Sequence, residues 1–135
     1  MSDLVSFETS KLLKEKGFHA PCKAWYAEYT SMYGGEKYEV IQFDDRNRFE
    51  PQYKFICSVP TFYQVMTWLI EKHNLFISTI HLDRGWFSYI GGAKIDDGKL
   101  FIDCESRIDN YDIPICETYE EAMETSIKYC LEKLI

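Results

Sequence analysis

His19 and Cys22, within "GFHAPCKAWY" at residues 17–26, stand three positions apart, a spacing that suits a shared metal ion or an activated thiol. A structural zinc takes about four ligands, usually recruited as close pairs. Here His19 with Cys22 is the one such pair, and His73, His81, Cys57, Cys104 and Cys116 would each have to come alone from a different element. No metal site is expected. A thiol nucleophile needs a pKa lowered by a helix N-terminus or a neighbouring cation, with a base in reach. Cys116 lies two residues before the helix cap expected at Thr118, but three acidic residues follow it and oppose its ionisation. Cys130 falls in the apolar stripe of the last helix and reads as a small packed side chain.

Carboxylates are the next candidates. Asp103 and Glu105 share a strand face at period two, a pair that calcium or general acid–base chemistry uses. A two-residue Asp97-Gly98 hairpin sets Asp103 opposite Gly92, so no third ligand stands across the ladder, and solvated strand-face charges are the simpler reading. "KIDDGK" lacks the alternating ligands of a calcium loop, and the doublets Gly34-Gly35 and Gly91-Gly92 lack any phosphate-loop pattern. Gly91-Gly92 within a strand predicts a bulge. Neither catalytic residues nor a cofactor is expected, and the chain reads as non-enzymatic.

The elements that position these residues follow from patterning. In 135 residues, 46% hydrophobic and 27% charged, the chain has the composition of a single globular α+β domain spanning 1–135. No apolar run approaches the roughly 18 residues that span a bilayer, and "MSDLVSFETSKLLKEK" mixes charges throughout, so a cytoplasmic protein without membrane contact is expected. Five separated cysteines without a secretory signal predict free thiols. A net charge of -7 disfavours nucleic acid, whose backbone is bound by Lys and Arg. Residues 96–124 hold ten Asp and Glu against Lys99 and Arg107. They suit a basic partner or a cation, or more simply a solvated loop and the positive end of a helix dipole.

Three helices are marked. The first runs from about Phe7 to Lys16, with Ser6 as N-cap and Gly17 with Phe18 as a Schellman-type end. The second lies in "VPTFYQVMTWLIEKHN", with Thr61 and Gln64 as a capping box, Asn74 as its stop, and Phe62, Val65, Met66 and Leu69 facing the core. The third lies in "TYEEAMETSIKYCLEKLI", with Thr118 and Glu121 as a capping box and Ala122, Met123, Ile127, Cys130, Leu131 and Leu134 on one stripe. Strands are expected near Cys22–Thr30, Lys37–Phe43, Tyr53–Ser58, Phe76–Leu82, Trp86–Lys94 and Leu100–Glu105, with residues 105–117 as a surface loop. The order α-βββ-α-βββ-α predicts a largely antiparallel sheet with helices packed on one face. The two βββ blocks share no residue pattern and are not a repeat.

Aromatic residues make up 16% of the chain. Successive rings on a strand point to opposite faces, so Trp25 and Tyr26, or Trp86 and Phe87, cannot all enter one core. Trp25, Tyr26, Tyr29, Trp86 and Tyr89 are therefore the expected binding residues, with Tyr33 and Phe87 beside them, because Tyr and Trp favour interfaces. The function expected is an interaction module that binds a protein partner or itself as a homo-oligomer. The alternative is a small-molecule or nucleotide-binding protein with an aromatic pocket between sheet and helices.

The segments "KLLKEKGF", "PTFYQVMTWLIEKHNL" and "TYEEAMETSIKYCLEKLI", spread over nearly the whole length, make the chain resemble a group of small uncharacterised proteins of gut Bacteroidetes and their phages. The resemblance implies an α+β domain often carried on mobile DNA, brings no catalytic residues, and implies an acidic or polar residue at the position of His19.

Overall fold

Ser6 ends the entering strand-like segment with extended backbone, and its hydroxyl accepts a hydrogen bond from the Thr9 N–H at 3.3 Å. That contact satisfies one of the donors a helix start leaves unpaired, and α1 (Phe7–Glu15) follows. At the other end Gly17 takes a left-handed φ of 91°. The Phe18 N–H reaches the Leu13 carbonyl at 3.0 Å and the Gly17 N–H the Lys14 carbonyl at 3.2 Å, the two bonds of a Schellman end. Both caps expected from the sequence are present. The computed structural model describes residues 4–31, 34–43, 53–108 and 114–135; the side chains of 38–40, 42–43, 53 and 103–108 fall outside that description.

The fold is α+β, and its element order agrees with the one predicted. Where a single sheet was expected, the six strands among the described residues form two antiparallel sheets of three. Contacts within the chain gather in two compact units, Leu4–Thr61 and a second that includes Phe62–Ile135.

In the first unit β1 (Ala24–Thr30) lies between β2 (Lys37–Phe43) and β3 (Tyr53–Val59). Strand β1 begins two residues later than predicted, which leaves Cys22 half-buried ahead of it, its thiol 3.2 Å from the Ala20 carbonyl. Along β1 and β3 the register runs from Ala24 opposite Val59 to Tyr26 opposite Cys57, then jumps to Ala27 opposite Phe55. Ile56 is thus the extra residue of a bulge, whose backbone the ladder leaves unpaired. Lys14 of α1 donates its ammonium to the Ile56 carbonyl at 2.8 Å, so the helix supplies the bond the ladder lacks. Val5, Leu13, Phe18, Ala24, Cys57 and Val59 are buried. Desolvation pushes the Cys57 thiol up from its ordinary value, with Lys14 and Lys11 pulling the other way.

The second unit starts with α2 (Phe62–His73), which buries Phe62, Val65 and Leu69 and leaves Met66 partly covered. Asn74, at a left-handed φ of 55°, ends it as predicted. Then β4 (Leu75–Leu82), β5 (Gly85–Asp96) and β6 (Lys99–Ile108) form a meander with β5 in the middle. Asp97 and Gly98, with φ of 50° and 73°, make a two-residue turn of the hairpin type, and Gly92 does stand opposite Asp103. The irregularity expected at Gly91-Gly92 is present, but the surplus residues belong to β6. Ile90 pairs with Ile108 and Gly92 with Asp103, so Gly91 alone stands against residues 104–107. Strand β6 also replaces the first part of the loop predicted for 105–117; residues 109–113 lie outside the described residues.

Helix α3 (Tyr119–Tyr129) is capped by the Thr118 hydroxyl, which accepts from the Glu121 N–H at 3.1 Å. Glu120 and Glu121 occupy its first turn, where the helix dipole favours negative charge. The helix continues into one π-helical turn, Cys130–Leu134. Ala122, Met123, Ser126, Ile127, Cys130 and Leu131 are buried, and α2 and α3 both pack on β4 and β5. No helix among the described residues is long and apolar enough to cross a membrane.

Candidate binding surface

The five rings singled out from the sequence divide between the two sheets. Trp25, Tyr26 and Tyr29 lie on β1, while Trp86 and Tyr89 lie on β5. On β1 the alternation separates the first two. Tyr26 turns to α1, where its ring meets Phe7 edge-on at 4.9 Å, and the Lys11 ammonium lies over the Phe7 ring at 4.4 Å. Trp25 lies instead beside Phe55 of β3, with ring centres 6.1 Å apart, and Phe55 is 45% exposed. Tyr33 lies outside the described residues.

Trp86 is held on the helix side of the second sheet. Its neighbour Ser88, on the same strand face, reaches the Ala122 carbonyl of α3 at 3.5 Å. His81, directly opposite Trp86 on β4, stacks on the indole at 4.6 Å with an interplanar angle of 20°. Tyr119 of α3 meets the indole edge-on at 5.4 Å, and Phe62 of α2 meets Tyr119 at 6.4 Å. The Trp86 backbone is fixed as well. Its N–H donates to the Cys116 carbonyl at 2.7 Å and its carbonyl accepts from the Cys116 N–H at 3.0 Å. Trp86 therefore anchors β5 to the segment entering α3, and the candidate binding role passes to the residues pointing the other way.

Those residues form the outer face of the second sheet. Since Trp86, Ser88 and Ile90 turn toward the helices, Phe87, Tyr89 and Ile95 turn away, joined by Phe76, Ile80 and Leu82 of β4 and by Leu100 and Ile102 of β6 through the register. Ile80 is 42% exposed, Leu82 53%, Ile95 49%, Leu100 47% and Ile102 45%. Sequence reasoning named Tyr89 as a candidate but not the aliphatic residues beside it, because it weighed aromatic content alone. The signal was present in "LFISTIHL", where apolar residues occupy both parities of the strand and so require a second covered face.

Polar chemistry is sparse. Among the described residues no three of His, Cys, Asp and Glu gather in a metal-binding arrangement, and His19 is exposed. Burial raises the pKa of Cys22 and pushes that of Cys130 up to about 12, opposite to the direction a nucleophile needs. Cys116 is buried, its sulfur 3.5 Å from the Pro114 carbonyl and 3.8 Å from the Thr125 hydroxyl. An open cleft of about 750 Å³ at the β4–β5 turn is lined by His81, Leu82, Asp83, Arg84 and Phe87. Another, of about 530 Å³, lies among Asn74, Gly92, Ala93, Lys94, Phe101 and Ile102. Neither is lined by any of the five rings. In comparison with known proteins, the chain matches no family model, no curated protein and no solved structure at a significant level.

Proposed function

We propose that the protein is a non-enzymatic interaction module, working in the cytoplasm without nucleic acid, that binds a protein partner through the outer face of its second sheet. Its affinity with the small proteins of gut Bacteroidetes and their phages belongs to the same proposal. The observation that carries it is two groups of aliphatic residues on one face, Ile80 and Leu82 near the β4–β5 turn and Ile95, Leu100 and Ile102 near the β5–β6 turn, each more than two fifths exposed. Burying apolar surface of this kind is the principal gain available to an interface. Phe87 and Tyr89 supply rigid rings at its centre, as interface cores do.

The test is differential capture. Immobilised protein should retain a set of partners that the Ile80→Lys/Leu82→Lys variant loses and the Tyr63→Lys variant keeps, since Tyr63 is 78% exposed on α2, away from the sheet. Identical capture by the two variants would remove the outer face from consideration. A second reading, small-molecule binding, is supported by the cleft at the β4–β5 turn, where the Arg84 cation and the rings of His81 and Phe87 line one space. Nucleotides or sugars that bind there must raise the melting midpoint of the wild type and not of Arg84→Ala.

A further inference from the structure

We infer that two copies of this chain pair through the edge of β6 that no described strand covers, strand to strand and antiparallel about Phe101. The inference rests on the interaction-module reading and names for it one partner and one seam.

Residues 94–102 are all exposed, an unbroken run spanning the end of β5, the turn and the start of β6. Within it Leu100, Phe101 and Ile102 are 47%, 54% and 45% exposed, three consecutive large apolar residues on the outermost strand. An apolar edge of this kind is a template for another strand.

The register fixes which backbone groups are available. A two-residue turn is closed by a hydrogen-bonded pair, here Asp96 with Lys99, and such pairs then recur at every second residue. Lys99, Phe101 and Asp103 therefore direct their backbone groups at β5. Leu100 and Ile102 direct theirs outward. The other side of β5 agrees, because the Ala93 N–H donates to the Asn74 carbonyl at 2.8 Å, which places the odd residues of β5 toward β4 and the even ones toward β6. The opposite edge of the sheet is different: Ile77 of β4 is 2% exposed.

Charge selects the partner. With a net charge of -7, two copies repel unless the seam itself compensates. The stretch "KLFID", residues 99–103, reads as its own complement when reversed. Antiparallel pairing centred on Phe101 sets Leu100 opposite Ile102 of the second copy, with their outward backbone groups exchanging hydrogen bonds. It also sets Lys99 opposite Asp103 at both ends, and the two Phe101 rings face each other across a close pair. The twofold axis stands perpendicular to the sheet, so the apolar outer faces of the two copies become one continuous surface.

Sedimentation equilibrium reads the outcome directly. Wild type should run at twice the 16.0 kDa of the monomer. Leu100→Pro removes an N–H that β5 does not use and should give a monomer with unchanged circular dichroism. Lys99→Asp and Asp103→Lys, each alone, should also be monomers, because each sets like charges at both ends of the seam. Mixed one to one they should restore the dimer. The aspartate introduced at position 99 of one variant then faces the lysine introduced at position 103 of the other, and the unchanged Asp103 of the first faces the unchanged Lys99 of the second. Amide exchange at Leu100 and Ile102 in wild type should slow as concentration rises, a readout independent of any variant. A monomeric wild type, a dimeric Leu100→Pro, or a mixture that stays monomeric overturns the pairing. Loss of capture by Ile80→Lys/Leu82→Lys with the dimer intact bears on the outer-face partner alone, so the two readings fail separately.

Discussion

Each sheet has three strands among the described residues, but their order differs: the first puts its earliest strand in the middle, and the second runs in sequence order. In the first, β1 sits between its two successors, the bulge at Ile56 is answered by Lys14, and Tyr26 is held by Phe7. In the second, each strand pairs with its sequence neighbour and both helices pack on β4 and β5. That arrangement leaves one face and the β6 edge apolar and exposed. Both sheets expose apolar side chains among the described residues, Ile41 and Phe55 in the first and a larger set, Ile80, Leu82, Ile95, Leu100 and Ile102, in the second. What separates them is where the helices are attached.

The comparison breaks most sharply at the glycines. Gly85, at φ 131°, lies so close to the segment entering α3 that a Cβ there would stand 2.6 Å from the Cys116 carbonyl oxygen. Gly85→Ala should cost about 3 kcal/mol in urea unfolding, with lost amide protection concentrated in residues 62–135. The next effect is one of pH. An unfolded chain gives up the Cys130 proton near 9.0, whereas the folded chain keeps it until about 12. Stability tied to this thiol is therefore whole below 9.0 and drains away between there and 12, at up to about 1.4 kcal/mol per pH unit. Cys130→Ala should flatten that limb of the stability–pH curve relative to wild type.

Gly17 is the counterpart of Gly85 in the first unit, left-handed at 91° but with open space where a Cβ would go. Gly17→Ala should cost only about 1 kcal/mol, the price of the conformation alone. Equal losses at the two glycines would show that steric contact with Cys116 is not what sets Gly85 apart. The smallest effect has the opposite sign. Ser10 is buried on α1 and its hydroxyl finds no hydrogen-bond partner among the described residues. Ser10→Ala should raise the urea midpoint by up to about 1 kcal/mol equivalent, since an unpaired buried hydroxyl is a net cost.

Local chemistry was the part of the fold that could be read from sequence. Ser6 and Thr118 announce helices because a side-chain acceptor is needed within three residues. Gly17 and Asn74 announce their ends because both tolerate a left-handed backbone. Asp97-Gly98 fixes the β5–β6 register for the same reason, down to Gly92 opposite Asp103. The division into two sheets was not legible, because pairing β1 with β3 is a choice between distant strands that no local pattern encodes. The five candidate rings were chosen because adjacent aromatics on a strand cannot all enter one core. Parity says that Trp86 and Phe87 part company but not which of them meets a helix, and Trp86 was the one that did.

Strand order also has a consequence for the time course of folding. The meander β4-β5-β6 closes only through turns between neighbours, and its two-residue turns need little search. The order β2-β1-β3 requires β3 to pass the β1–β2 hairpin and dock on its far side. Longer loops must close first, so in pulse-labelled exchange the amides of β4 and β5 should gain protection before those of β3. A full-length chain refolding from denaturant would then carry its apolar outer face in place while its first sheet is still forming.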